Sequence, residues 1–216
     1  MAENAEKPKG IKKKLENFWY HHQIATLVTV FIVCSAIFLT VDYLRKQDPD
    51  MVLTYVGAEF GDKTQFIRAE DDLLAVVGDI NGDGKKKMNY RMIVIREDWT
   101  TYDVDKEQHF NYSFIDKNVR LYVIEERFFE QKKIFFEPLE GILPDEFLKE
   151  GLKNDEGQVC AVPLAGSEVA EKMDFARPGL YVGIKRMIDT EKHEKLVPAQ
   201  FEKSKDLIRY IVTGEK

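Results

Sequence analysis

MVLTYVGAEFGDKTQFIRAEDDLLAVVGDINGDGKKKMNYRMIVIRE, residues 51–97, holds three structural signals in succession. Its first part, MVLTYVG from Met51 to Gly57, is short, continuously apolar and rich in β-branched and aromatic residues, the pattern of a strand buried on both faces. From about Gly61 to Val77 the spacing becomes helical, with Phe66, Leu73, Leu74 and Val77 on one stripe. GDINGDGK makes a turn, and MNYRMIVIRE from Met88 to Glu97 is a second strand, apolar on both faces through Met92, Ile93, Val94 and Ile95. Strand, helix and strand in this order predict a parallel βαβ unit, because parallel neighbours need a crossover that carries the chain back to its starting end.

The alternation continues downstream. A short helix around Gln108 to Phe114 leads to the strand VRLYVIE, Val119 to Glu125, and then to the helical EERFFEQKK. The loop FFEPLEGILPDE follows, where Pro138 and Pro144 forbid a long regular element. QVCAVPL is a strand, Ser167 is placed to cap the helix SEVAEKM, GLYVGIKRM is the last strand, and Ala199 to Thr213 forms an amphipathic closing helix. The fold class expected for residues 51–216 is α/β, with a mixed or parallel sheet.

Upstream, IATLVTVFIVCSAIFLTV from Ile24 to Val41 carries no charge and no proline. As a helix its 18 residues span about 27 Å, close to the hydrocarbon thickness of a bilayer. A core helix would show a polar face, whereas here Thr26, Thr29, Ser35 and Thr40 scatter round the axis. Residues 23–44 are therefore expected to be a single transmembrane signal anchor, with a basic and aromatic cytoplasmic segment at 1–22 and a linker at 45–50 containing Pro49. Lys7, Lys9, Lys12, Lys13 and Lys14 precede the run and only Arg45 and Lys46 closely follow it, which places the N-terminus in the cytoplasm and the α/β domain outside the cell. Phe18, Trp19 and Tyr20, with Tyr43 at the other end, suit the headgroup layer, and His21 and His22 belong to the same belt. The apolar part exceeds the usual h-region and the exit FLTVDYLRK lacks a small-x-small cleavage pattern, so the anchor is expected to be retained. Phe31, Ile32 and Val33 before Cys34 speak against lipidation there.

On this topology Cys34 and Cys160 cannot meet, and Cys160 in QVCAVPL is expected to be a small buried hydrophobe. Residues 1–47 carry a net charge of +3 and residues 48–216 a net −9, so the outer domain is a poor candidate for nucleic acid.

GDINGDGKKK, Gly78 to Lys87, leaves two readings open. Asp79, Asn81 and Asp83 alternate as oxygen ligands do at positions 1, 3 and 5 of an EF-hand loop, and Lys85 would add a backbone carbonyl. Position 12, which needs a bidentate acid, is Tyr90, although water or Asp98 could fill the gap. Asn-Gly and Asp-Gly are also ordinary turn formers, so the alternative is a turn without calcium.

The segments KKKLENFWYHHQ before the anchor, then DINGDGK, VRLYVIEERFFEQKKIFFEPLEGILPDE, VCAVPLAGS and GLYVGIKRM, resemble membrane-anchored proteins of Gram-positive bacteria that are similar to extracellular solute-binding proteins. The resemblance covers most of residues 50–216 and implies an outer domain built like one lobe of such a protein, with the Phe136-Glu137-Pro138-Leu139 turn near a ligand cleft. It departs from the pattern in length, since solute-binding proteins close two lobes over a ligand and about 170 residues here make one.

No nucleophile constellation emerges. Ser167 lacks a nucleophile elbow, His109 and His193 are remote from any cysteine, and GAEFG and NGDG are not followed by the residues of a phosphate loop. Glu125 and Glu126 could serve acid/base chemistry or simply charge a first helical turn. The function expected is a non-catalytic, membrane-anchored extracytoplasmic binding or interaction protein, an accessory of solute transport or a partner in an envelope assembly. The alternative is an envelope hydrolase with an unrecognised site. A polar concave cleft would favour solute capture, and an exposed apolar patch near Phe135, Phe136 and Leu139 would favour a protein partner.

Overall fold

A computed structural model describes residues 10–45, 49–58, 64–96 and 101–215. The chain divides into two compact units, Met1–Asp48 and Pro49–Lys216.

In the first unit Ile11–Arg45 is one helix of 35 residues, α1, which begins well before the expected span. Lys13–Val41 is long and apolar enough to cross a membrane, and none of it is buried, so it is not the core helix of a globular domain. It is compatible with a membrane anchor or a signal sequence. The Thr29 and Thr40 hydroxyls donate back to the Ala25 and Ala36 carbonyls, which removes two polar groups from an otherwise apolar surface.

The second unit is built on a mixed six-stranded sheet in the order β2-β1-β3-β6-β5-β4. β1 (Met51–Gly57) pairs in parallel with β2 (Met88–Val94) on one side and β3 (Val119–Glu125) on the other. β6 (Leu180–Ile184) runs antiparallel to β3 and to β5 (Val159–Pro163), and β4 (Leu152–Lys153) closes the edge antiparallel to β5. The βαβ unit and the parallel pairing it predicts are present.

All seven residues of β1 are buried because helices cover both faces of the sheet. Met51, Leu53 and Tyr55 point into one core with Leu121, Val123, Val182, Phe201 and Ile208, whereas Val52 and Val56 point into the other with Tyr122, Ile124, Phe110 and Phe129. The first core is covered by α3 (Glu70–Val77), α7 (Glu168–Lys172) and α8 (Val197–Thr213), and the second by α4 (Thr101–Ser113) and α5 (Glu126–Lys132). Ser167 caps α7 as its sequence position implies, accepting from the Ala170 amide at 3.0 Å and donating to the Ile211 carbonyl of α8.

The structure corrects several boundaries. The single helix expected over 61–77 is broken, with α2 (Thr64–Ile67) ending where the Ala69 amide turns back onto the Phe66 carbonyl at 3.1 Å. Phe66 is wedged between the Tyr90 and Phe175 rings, 4.8 Å from each, and three acids, Glu70, Asp71 and Asp72, start a new helix that their charge favours. The helix expected near Gln108 begins at Thr101, and α6 (Asp145–Leu148) and β4 fall in stretches with no strong signal.

One strand carries a buried charge. Arg120, fully buried in β3, lies 2.9 Å from Glu191, which also pairs with Lys185 at 3.4 Å. Burial lowers the Lys185 pKa, and the Arg120 charge adds to that shift while Glu191 opposes it. The network fastens the short 3₁₀ helix Asp189–His193 to the end of the sheet where β3 begins and β6 stops.

Candidate functional site

The parallel strands β1 and β3 both end at one rim of the sheet, and β6 starts there, since Glu125 pairs with Leu180. Side chains from three segments converge on an open cleft of about 530 Å³, lined by the end of β3, the start of α5 and residues 177–180. Such volumes suit small ligands, and the carboxyl ends of parallel strands are where open α/β sheets place them.

Glu125, the last residue of β3, accepts from the Ala58 amide through Oε1 at 2.8 Å, and its Oε2 lies 3.3 Å from Arg127 Nε. Arg127 donates to the Ile95 carbonyl and its guanidinium carbon lies 4.5 Å from the centre of the Phe128 ring. On the facing side Arg177 Nη2 donates to the buried Tyr55 hydroxyl at 3.0 Å, and the Tyr55 ring stacks on Phe175. Gly57 lies directly beneath: a Cβ there would come within 2.2 Å of the Tyr55 hydroxyl and 2.8 Å of Glu125 Oε1, so only glycine fits this arrangement.

Glu126 and Glu130 complete the charged lining, with Glu130 also 3.2 Å from Lys133. The Tyr181 pKa is raised, first by burial and then by the Glu126 and Glu150 charges. The described lining therefore offers carboxylates and guanidinium groups side by side, and it includes no histidine, serine or cysteine. Such a surface can bind polar and charged groups by paired hydrogen bonds.

The other sequence candidates fall elsewhere. Asp79 accepts from Gly82 N at 2.7 Å and Gly84 N at 2.9 Å, Asn81 from Asp83 N at 2.8 Å, and Asp83 from Lys85 N at 2.8 Å. Gly82 and Gly84 adopt the positive φ values, 75° and 79°, that this turn requires. These side-chain oxygens hold the backbone amides of the turn. Tyr90 at position 12 is buried against Phe66, Asp98 lies outside the described residues, and the described residues contain no group of three or more His, Cys, Asp or Glu arranged to hold a metal. The residue that sequence reasoning misses here is Asp50. It lies in the expected linker, yet it is fully buried and its carboxylate accepts from the Ile80, Asn81 and Lys87 amides.

His109 borders a second groove with Arg91, Lys106, Tyr112 and Asp116, and His193 is exposed at the end of its 3₁₀ helix. Cys160 is buried and free, and burial pushes its thiol up to about 11. Phe136 and Leu139 are fully buried, whereas Phe135 and its neighbour Ile134 are exposed. The Phe136 to Leu139 turn runs beside the carboxyl end of β6, with Glu137 N donating to the Ile184 carbonyl, at the opposite rim from the cleft.

Comparison with protein-family models, with curated proteins and with solved structures returns no match.

Proposed function

We propose that this is a membrane-anchored, non-catalytic binding protein whose extracytoplasmic α/β domain captures a small polar solute or short peptide, as an accessory of solute transport. The observation that carries the reading is the open cleft at the carboxyl ends of β1 and β3, lined by the charged residues Glu125, Arg127 and Arg177. The apolar span Lys13–Val41 and the lysines before it support the anchor and its orientation.

The test is a thermal-shift screen of the detergent-solubilised full chain against amino acids, dipeptides and oligosaccharides. A ligand at roughly one hundred times its Kd adds about 2.7 kcal/mol to stability, which is a rise of roughly 5–11 °C for a domain of this size. Arg177→Met and Glu125→Gln should each remove the shift. A screen with no stabilising solute, or a shift that survives both substitutions, overturns the reading. Orientation is tested separately: in a chain freed of its cysteines, Thr213→Cys should react with an impermeant thiol reagent on wall-stripped cells and Asn4→Cys should not.

A further inference from the structure

The rim opposite the cleft has a surface of its own. β1, β2 and β3 begin there and β6 ends there, so it gathers residues 79–87, the end of α4 and its connection to β3 (112–118), the 3₁₀ turn 133–135 after α5, and residues 185–193. Outside α1, seven large hydrophobic residues are exposed among the described residues, and five of them, Tyr112, Ile115, Ile134, Phe135 and Ile188, lie in these segments. Ile115 is 75% exposed and Ile134 66%, values at which packing against the domain explains neither.

Contacts within the rim bring these segments together. The Phe135 ring packs 5.4 Å from Phe114, next to Ile115, and the Arg186 amide, two residues before Ile188, donates to the Phe135 carbonyl at 2.8 Å. Lys185 donates to the Asp116 carbonyl at 2.9 Å. At the same rim the loop before β2 exposes Lys85, Lys86 and Lys87, a basic run in a domain whose net charge is strongly negative.

We propose that this rim rests on the lipid headgroup surface, with Ile115, Ile134, Phe135 and Ile188 entering the interface and the three lysines facing anionic headgroups. Exposed apolar side chains and a run of lysines on one rim are what an interfacial surface presents to anionic lipid. Chain connectivity supports lipid as the occupant. Only residues 46–48 separate Arg45, the last residue of the apolar helix, from Pro49. At roughly 3.6 Å per extended residue that link reaches about 14 Å, so a membrane holding the helix stays within reach of the strand starts. The proposal rests on the helix being retained as an anchor and is independent of what the cleft binds.

The test uses the full chain with both cysteines replaced by alanine. Ile115→Cys, Phe135→Cys and Ile188→Cys are each labelled with an environment-sensitive fluorophore, Glu126→Cys at the cleft serves as control, and the protein is reconstituted into phosphatidylglycerol-containing vesicles. Lipids carrying a nitroxide near the headgroup should quench the three rim labels roughly twofold or more and leave the control unchanged, as expected for side chains at the interface. Replacing Lys85, Lys86 and Lys87 by glutamine should weaken the quenching, and so should vesicles of phosphatidylcholine alone. Protein that leaves the vesicles in an alkaline wash would overturn the anchor and this proposal with it. Retention with equal quenching at all four positions would overturn the proposal alone, and would leave the exposed rim to a protein partner.

Discussion

Replacing Asp50 should remove three hydrogen bonds at once, and their geometry sets the size of the loss. Its Oδ1 accepts from Ile80 N at 2.7 Å and Asn81 N at 3.0 Å, and its Oδ2 from Lys87 N at 2.8 Å. Its own amide donates to the Lys87 carbonyl and its carbonyl accepts from Gln200 of α8 at 3.0 Å, but these backbone groups survive a side-chain change. A hydrogen bond to an ionised acceptor contributes about 1.5–3 kcal/mol. Water can partly replace the lost partner, because Ile80 and Asn81 are half-buried and Lys87 is exposed. Asp50→Ala should therefore destabilise by about 3 kcal/mol, or roughly 6–12 °C in Tm. Asp50→Asn keeps one oxygen for Ile80 and Asn81 and turns an amide nitrogen toward Lys87, so about half of that loss is expected. Thermal melts of the solubilised full chain measure the totals, and hydrogen exchange measures the three amides one by one. A loss under about 1 kcal/mol for alanine would refute the reasoning, because it would mean that the bonds add nothing beyond those to water. So would an Asn variant that frees all three amides equally.

Ser167→Ala removes both a helix cap and the bond to α8, and should lower stability by about 1–2 kcal/mol in urea titration; a neutral result would mean that Ser167 does not hold α7 to α8. Burial of Asp116 opposes its ionisation, but hydrogen bonds from Arg91 and the Asn118 amide, with the Arg91 and Lys185 charges, outweigh it and hold the carboxyl below its usual range. The stability this adds is present above the unfolded pKa of about 3.9 and disappears as pH falls through the folded value, so the Tm gap between wild type and Asp116→Asn should close on acidification below about pH 4. A gap that stays constant to pH 2 would contradict the ion pair. Because the oxygens of Asp79, Asn81 and Asp83 already hold backbone amides, millimolar calcium should move Tm by less than about 1 °C; a larger rise, abolished by Asp79→Ala and Asp83→Ala, would establish the metal reading instead.

What the sequence makes legible is what packing makes periodic. β1 and β3 are readable to the residue because both faces of each are buried, and Ser167 is readable because a cap is a local device. The break at Ala69 is not, since its cause is Phe66 meeting Tyr90 and Phe175 across the core. The first half of α4 hides because its sequence, TYDVDKEQ, has too few apolar residues to show a stripe. At the cleft, Glu125 and Glu126 stand out as a charged pair, but Arg177 and Tyr55 are joined only by the fold, and Gly57 gains its meaning from the side chains above it. Arg120 within VRLYVIE and Asp50 within RKQDPD are charges in places that composition assigns to a core strand and to a linker. Their partners, Glu191 and the amides of residues 80–87, lie far along the chain.

The placement of α8 has a consequence for biosynthesis. Gln200 reaches back across 150 residues to the carbonyl of Asp50, and Phe201, Leu207, Ile208 and Ile211 fill one core around the first strand made. Until residues 197–213 leave the ribosome, β1 therefore has one unsealed face, however early β2 and β3 pair with it. With its stabilising contacts so distant in sequence, the domain should fold slowly, on the time scale of milliseconds to seconds. Until α8 has emerged and docked, the nascent chain keeps an apolar face open to chaperones and proteases.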